Sequence, residues 1–358
     1  MELEEKIRHL RKEVDGELEL FFDNKILQAK SNDMPEEFFE IIANVRNFML
    51  RGGKRLRPIL FYYGYTLAGG DEGKNIIASS LLTEFLHTYL LIHDDIIDRD
   101  NLRHGGPSMH YKYQKDYAEK YEGCNLEHFG VSMAINVGDI VSSWSYEILF
   151  KSDFDCLKKQ YATEKMSQIV EDTLTGQVLD EFLEMGVDFD EKKIYKVQNY
   201  KTARYTICGP LQLGAIFAGA DEEELRFISD FSIPLGIAYQ IQDDILGVFG
   251  DKEKIGKPVG SDIKEGKKTL LMSYALRKTS DKEKNFLYSC LGKKDLNEDE
   301  VQKVREIIRD SGALEYSRQK IDEFIEDFLC KLKNNTESFS LKYTPLEDFA
   351  NYLLKRKK

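Results

Sequence analysis

The stretch from His87 to Asp98 joins an apolar helical pattern to three aspartates, and no other stretch restricts the possible folds as much. The apolar residues around it recur at helical spacing, which predicts a helix with a buried side: Leu81, Leu82, Phe85, Leu86, Leu90 and Ile97. At about 3.6 residues per turn, Asp94 and Asp98 share one face of this helix. Such a cluster of like charges in a partly apolar setting favours a bound cation, and hard carboxylate oxygens suit Mg²⁺. A solvated acidic helix face is the simpler interpretation.

A second apolar stretch also ends in paired aspartates. Residues Tyr239 to Leu246 contain Asp243 and Asp244, and they follow a run of mostly apolar residues. Two such helices that face each other would form an acidic cleft able to hold Mg²⁺ and a diphosphate.

A basic segment lies between the N-terminal region and these motifs. Gly52 and Gly53 free the backbone for a tight turn, and Pro58 suits the first turn of a helix. Lys54 and Arg57 therefore flank a turn-to-helix junction, where amide groups and the helix dipole favour anions. A generic basic turn would have the same composition.

Composition favours a single all-α domain. The 358 residues are 42% hydrophobic and include only 7 prolines, and no Pro/Gly/Ser-rich linker divides them. Helical periodicities are long and strand signals few. Residues 1–50 are predicted to form two amphipathic helices, and residues 111–129 an inserted loop or short helix. A net charge of −12 argues against non-specific nucleic-acid binding.

Targeting signals are missing from the sequence pattern. The five cysteines are scattered and form no CxxC pair, which indicates a reduced, cytoplasmic protein. The N-terminus is charged and lacks the apolar core of a signal peptide. No apolar run approaches the roughly 20 residues of a transmembrane helix, so no membrane span is expected.

In this order, the basic segment and the two aspartate motifs resemble those of the trans-isoprenyl diphosphate synthases, above all the archaeal-type geranylgeranyl synthases. The similarity runs from about residue 52 to residue 269. It implies the all-α isoprenoid synthase fold, a helical bundle around a central cavity, with one polyprenyl synthase domain over residues 1–358. It also implies a homodimer that condenses isopentenyl diphosphate head to tail with an allylic diphosphate, using Mg²⁺.

The resemblance also implies roles for individual side chains. The implied Mg²⁺ ligands are Asp94, Asp98 and Asp243. The groups implied to act on the allylic diphosphate or the developing cation are Arg103, Lys201, Thr202, Gln240, Lys257 and Lys267. The implied isopentenyl diphosphate ligands are Lys54, Arg57, His87 and His104. Gln177 and Asp180 are expected beside the metal cleft, and His93, which has no match, is predicted to be structural.

Two positions depart from the family pattern. The usual second arginine after the first motif is His104, and a histidine is only partly protonated near neutral pH. The strength and pH dependence of isopentenyl diphosphate binding are therefore open. The third aspartate of the second motif is replaced by Gly247, which leaves Asp243 as the main ligand candidate, with Asp244 and Asp251 nearby. Metal binding is still expected, because the first motif is complete.

Product length depends on the residues just before the first aspartates, which in the family form the floor of the product pocket. Tyr89 lies five positions before Asp94, and Leu90 lies four before it. The pattern resembles that of synthases with a C20 product, which is favoured over C15. A helical wheel nevertheless places Leu90 nearer than Tyr89 to the aspartate face.

Three other functions are compatible with parts of the pattern. A terpene cyclase would usually carry an Asn/Ser/Glu motif in place of Asp243-Asp244 and would not need the basic segment. A non-catalytic partner subunit would commonly lose the first motif, which is intact. A calcium-binding helical protein would leave Lys54, Arg57, Lys201 and Lys257 without a role.

Overall fold

The computed structural model describes residues 3–71, 76–121, 124–186, 189–250, 260–293, 295–334 and 344–354. Most of this is helix, which confirms the predicted all-α class. The first ten α-helices are α1 (Leu3–Ser31), α2 (Glu36–Leu50), α3 (Leu56–Leu67), α4 (Ile76–Ile97), α5 (Met109–Asp116), α6 (Leu126–Lys151), α7 (Cys156–Met185), α8 (Glu191–Val197), α9 (Gly209–Ala218) and α10 (Glu222–Phe249). A π-helix, Gln198–Cys208, joins α8 to α9. The later helices are Ser261–Glu265, Leu270–Lys278, Asp281–Cys290, Glu298–Asp310, Ala313–Asn334 and Thr344–Leu354.

Two of the regional predictions agree with these bounds. The two amphipathic helices expected in residues 1–50 are α1 and α2, which meet at a turn where Asp33 has a positive φ. In the region 111–129, the described residues form the rest of α5, a turn and the start of α6.

The only strands in the described residues form a two-residue hairpin directly after α4. Strand β1 (Leu102–Arg103) pairs antiparallel with β2 (Gly106–Pro107). Its turn residues, His104 and Gly105, have φ values of 51° and 72°, the left-handed conformation that tight hairpins favour. Arg51 donates to the carbonyl oxygen of Pro107 at 2.9 Å and so ties the hairpin to the end of α2.

Helix α4 is the central element of the bundle. It packs against α3 and α6, and side chains such as Leu82 and Phe85 are fully buried. By length and composition α4 could cross a membrane, but 67% of its apolar window is buried inside the protein, as in the core helix of a globular bundle. The motif helix α10 packs in turn against the π-helix and helix Ala313–Asn334.

Candidate active site

One cleft of about 640 Å³ opens between the start of α3, the end of α4, the hairpin and α10. It collects nine of the predicted site residues: Lys54, Arg57, His87, Asp94, Arg103, His104, Gln240, Asp243 and Lys267. An adjoining cavity of about 160 Å³ is lined by Lys201 and Thr202, and it shares Asp94, Gln240 and Lys267 with the cleft. Lys257 and Asp251 lie outside the described residues.

The first aspartate motif occupies the last turn of α4 and the residue after it. Asp95 is fully buried and accepts a hydrogen bond from Arg103 Nε at 2.6 Å. Burial raises the pKa of Asp95 to about 7, although the Arg103 charge opposes the rise. Arg103 also contacts Asp100 at 3.2 Å. Asp95 therefore anchors Arg103, which leaves Asp94 and Asp98 for a ligand.

Asp94 and Asp98 stay close because the helical pattern continues to Asp98, whose N–H donates to the Asp94 carbonyl at 2.8 Å. Lys201 Nζ lies 3.6 Å and Arg103 Nη2 lies 3.8 Å from the Asp94 carboxylate. Burial and the charge of Asp94 raise the pKa of Asp98 to about 6, while Lys267 and Lys201 oppose this rise. The carboxylates are thus only partly neutralised by protein cations.

The second motif is held by amide side chains. Thr202 Oγ1 donates to Gln240 Oε1 at 2.7 Å, and Gln240 Nε2 donates to Asp244 at 2.7 Å. Gln198 Nε2 donates to the other Asp244 oxygen at 3.1 Å. Burial and the nearby charge of Asp262 raise the pKa of Asp244 to about 7. Asp244 therefore belongs to a buried network, although Asp243 and Asp244 both line the cleft.

Gly247, at the position of the missing third aspartate, is covered by a carboxylate from another helix. A Cβ atom built on Gly247 would lie 2.0 Å from Oδ2 of Asp262, which belongs to helix Ser261–Glu265. Asp262 also lines the cleft. The sequence pattern does not single out Asp262, because its only signal there is an aspartate within a basic loop. The spatial neighbour of Gly247 can be identified only from the fold.

These residues suit Mg²⁺ by donor chemistry. Asp94 and Asp243 line one cleft and offer only hard oxygen ligands. Among the described residues, no group of three or more His, Cys, Asp or Glu side chains is assembled as a complete metal cage. Mg²⁺ commonly binds one or two carboxylates and completes its shell with water and substrate phosphates, so this incomplete set fits it.

The cleft is also lined by a basic group of residues, its basic end, which comprises Lys54, Arg57, His87 and His104. Arg55, in the left-handed conformation at φ 51°, is buried and pairs with Glu84 at 2.6 Å and Asp15 at 2.7 Å. It also donates to the Met49 carbonyl at 2.7 Å. Arg55 thereby forms ion pairs with the nearby carboxylates and holds the turn in its conformation. Its neighbours Lys54 and Arg57 make no ion pair with the rest of the described chain and line the cleft.

The two histidines predicted to bind isopentenyl diphosphate, His87 and His104, both have lowered pKa values. Burial and the charge of Arg57 lower the pKa of His87 well below its usual range. Burial and the charge of Arg103 lower the pKa of His104 to about 4. In the ligand-free protein both rings are therefore neutral at pH 7.

Lys201 and Thr202 lie on the π-helix, which interrupts the regular α-helical geometry between α8 and α9. Two glycines let neighbouring helices approach this backbone. A Cβ on Gly176 of α7 would lie 2.3 Å from Lys201 N, and one on Gly236 of α10 would lie 2.5 Å from Ala203 Cα. Lys201 Nζ contacts Asp180 at 2.8 Å, as expected for a residue beside the cleft. Gln177 instead donates to Glu181 at 3.0 Å along α7.

Lys267 follows helix Ser261–Glu265 and reaches both cavities. Its Nζ atom pairs with Glu265 at 2.7 Å. Burial alone would lower the pKa of Lys267, but the charges of Asp262, Glu265 and Asp98 raise it well above its usual range. Lys267 is therefore a permanent cation between the two aspartate motifs.

The two product-length candidates line neither cavity within the described chain. The Tyr89 ring packs edge-on against His93 at 4.8 Å between centroids, on the side of α4 that faces α6. Leu90 and Tyr89 both pack against the apolar cluster that contains Met166 and Phe217, and Tyr89 alone of the two also packs against the cluster shared with α6. His93 lies over Gly138 of α6, where a Cβ would be 2.4 Å from its Nε2 atom, so a packing role fits it.

Comparison with known proteins agrees with this geometry. The polyprenyl synthetase family model matches residues 39–308. A geranylgeranyl diphosphate synthase of Saccharolobus solfataricus is 31% identical, over 92% of this chain and 99% of its own. A geranylfarnesyl diphosphate synthase of Aeropyrum pernix is 33% identical, over 77% of this chain and 81% of its own.

Among solved structures, a geranylgeranyl pyrophosphate synthase from Corynebacterium glutamicum, complexed with isoprenyl diphosphate and magnesium, superposes with a TM-score of 0.89. It shares 30% sequence identity, and the match covers 97% of this chain and 99% of that one. The isoprenoid synthase fold is thereby confirmed. The chain belongs to the polyprenyl synthetase family and is a prenyltransferase.

Proposed function

We propose that this protein condenses isopentenyl diphosphate head to tail with an allylic diphosphate and releases mainly the C20 product, geranylgeranyl diphosphate. One observation carries the proposal. A single cleft is lined by aspartates of both motifs, called its acidic end, and by cations without ion pairs in the described chain, called its basic end, and Lys201-Thr202 line the adjoining cavity. One diphosphate can then bind through Mg²⁺ on the carboxylates and the other can bind directly to the cations. The hydrocarbon chains of the two substrates would meet between these two groups.

At the acidic end, Asp94, Asp98 and Asp243 would hold Mg²⁺, and Arg103, Lys201 and Lys267 would bind the allylic diphosphate. When bound, Mg²⁺ supplies Lewis acidity that stabilises the leaving diphosphate. The three cations stabilise the same developing charge. Lys257, outside the described residues, is proposed for this set from the resemblance alone.

The chain's own groups would then guide bond formation. Loss of diphosphate leaves an allylic cation, and the Thr202 hydroxyl can turn lone pairs toward it, because its hydrogen is donated to Gln240. Lys54, Arg57, His87 and His104 would hold isopentenyl diphosphate so that its double bond attacks that cation. The released diphosphate is the proposed acceptor of the proton that is then lost.

Product analysis tests this function. Pure protein is incubated with Mg²⁺, isopentenyl diphosphate and each allylic starter, and the dephosphorylated products are separated by chain length. A C20 product supports the proposal. A C15 or longer product keeps the chemistry and rejects the proposed length. No condensation with any starter favours a non-catalytic partner subunit, a role compatible with the changes at His104 and Gly247.

The product lengths of two variants show whether Tyr89 or Leu90 forms the floor of the product pocket. If Tyr89 forms the pocket floor, Tyr89→Ala should yield products at least one C5 unit longer, while Leu90→Ala should not. Both side chains pack against the apolar cluster that contains Met166 and Phe217, so a longer product from Leu90→Ala alone would place Leu90 at the floor instead. An unchanged product in both variants would remove both residues from the floor.

We further propose that the protein is a cytoplasmic homodimer. All five cysteines are free of disulfides, as in a reduced compartment. Helix α7 exposes an apolar stripe at helical spacing, Leu174, Val178, Phe182 and Met185, with Phe182 74% exposed. We propose that a second copy of this chain packs against this apolar stripe. Phe182→Glu should then convert the dimer to a monomer, as measured by light scattering. A wild-type monomer would reject the proposal.

A further inference from the structure

Tyr205, on the π-helix, contacts two of the proposed isopentenyl diphosphate ligands. Its side chain is buried, and its hydroxyl forms a hydrogen bond with Nδ1 of His87. Its ring lies 4.1 Å from the guanidinium carbon of Arg57, a cation–π distance. The next residue, Thr206, accepts a hydrogen bond from Arg57 Nη2 at 2.8 Å. Two adjacent residues of the π-helix therefore hold the side chains of His87 and Arg57 in place.

The direction of the hydrogen bond follows from the number of donors. A tyrosine hydroxyl has one hydrogen, and His87 Nδ1 is its only hydrogen-bond acceptor within the described residues. If Nδ1 carried the proton instead, the buried hydroxyl hydrogen would lose its acceptor, which is costly. The hydroxyl therefore donates, and Nδ1 is the unprotonated nitrogen.

This direction determines what His87 offers to the cleft. The ring is neutral, since burial and the Arg57 charge lower its pKa. A neutral imidazole that accepts at Nδ1 carries its single proton on Nε2. Such a ring can donate to an anionic oxygen, whereas the other tautomer would direct a lone pair at it. His87 lines the cleft, where that donor is useful.

We propose that Tyr205 is a positioning residue for the second substrate: its hydroxyl sets the donor tautomer of His87, and its ring holds the Arg57 guanidinium. The inference rests on the proposed function, in which both side chains bind isopentenyl diphosphate. Because Tyr205 lies three residues after Thr202, the same π-helix positions groups for both substrates.

A kinetic experiment compares Tyr205→Phe, which keeps the ring and removes only the hydroxyl, with Tyr63→Phe as a matched control. Tyr63 also has a buried hydroxyl, but it packs in an apolar cluster and does not line the cleft. We expect Tyr205→Phe to raise KM for isopentenyl diphosphate about tenfold, with kcat and the allylic KM within about twofold. Tyr63→Phe should change none of the three. An unchanged KM in Tyr205→Phe, or an equal loss in kcat, would overturn the inference.

A spectroscopic experiment tests the tautomer without relying on activity. The protein has six histidines, so ¹⁵N-histidine labelling gives few signals, and His87→Gln assigns the one of interest. Long-range ¹H–¹⁵N correlation should show Nε2 protonated and Nδ1 unprotonated in the wild type, and a mixture in Tyr205→Phe. A proton on Nδ1 in the wild type rejects the inference. If the wild type catalyses no condensation, the proposed function fails while this spectrum still decides the tautomer.

Discussion

The two ends of the cleft hold their charged side chains in opposite ways. At the acidic end the cations are already engaged, since Lys201 pairs with Asp180 and Arg103 pairs with Asp95. At the basic end, Arg55 takes the carboxylates of Glu84 and Asp15. Within the described chain this leaves Lys54 and Arg57 with no ion pair.

This difference indicates two modes of diphosphate binding. An acidic end that carries several carboxylates, only partly neutralised, needs an additional cation before it can accept a diphosphate. A basic end whose cations are not engaged by carboxylates can bind one directly. One proposed substrate is thus metal-dependent in its binding and the other is not, and the following variants test that division.

The largest effect is expected at the acidic end, from Asp94→Ala. This change removes a carboxylate that lies 3.6 Å from Lys201 and 3.8 Å from Arg103, and with it a proposed Mg²⁺ ligand. We expect kcat to fall by about a thousandfold and Mg²⁺ affinity, measured by calorimetry, to weaken. Asp116→Ala, an exposed carboxylate paired only with Lys112 in the described chain, is the control. Near-normal turnover in Asp94→Ala would refute its assignment.

The next effect concerns the carboxylate beside Gly247. Gly247→Asp should crowd Asp262, whose Oδ2 lies 2.0 Å from the new Cβ position, and Asp262→Gly should leave the second motif one carboxylate short. Each single variant is expected to lose about a hundredfold in kcat, and the double variant to return to within about tenfold of wild type. Losses that simply add would show that Asp262 does not replace the missing third aspartate.

A smaller effect distinguishes two neighbouring arginines at the basic end. Arg57→Leu should raise KM for isopentenyl diphosphate about thirtyfold and leave the free energy of unfolding nearly unchanged. Arg55→Leu should instead lower the free energy of unfolding by about 3 kcal/mol, because it leaves buried Glu84 without its partner. Urea unfolding and steady-state kinetics on both variants check this. If the two variants lost stability equally, the distinction between a binding and a structural arginine would be wrong.

How much the sequence could predict differs between the two aspartate motifs. The first motif ends its helix, so its partner Arg103 comes from the adjacent hairpin, and a local pattern is enough to find both. The second motif lies within α10, and its partners Gln198 and Asp262 come from other helices. The helical fold follows from periodicity and scarce proline. Tyr205 and Asp262, in contrast, gain their importance only from distant contacts that no spacing reveals.

The smallest effect is expected at His104, where the family pattern has an arginine. With a pKa of about 4, His104 is neutral in the free protein above pH 5, so the basic end has one positive charge fewer than that pattern. His104→Arg should lower KM for isopentenyl diphosphate about threefold at pH 8. The backbone can accept the change, because Arg55 already adopts the same φ of 51°.

The pH profile shows whether His104 itself contacts the diphosphate. An anion bound beside His104 favours its protonated form, so wild-type affinity should increase as pH falls from 8 toward 5.5, and proton uptake should accompany binding. Arginine stays charged throughout, so the variant should lack this slope and its advantage should shrink at lower pH. Measuring KM for isopentenyl diphosphate at several pH values in both proteins tests this directly. Parallel profiles with a constant ratio would mean that His104 is too far from the diphosphate to sense it, and the basic end would then consist of Lys54, Arg57 and His87.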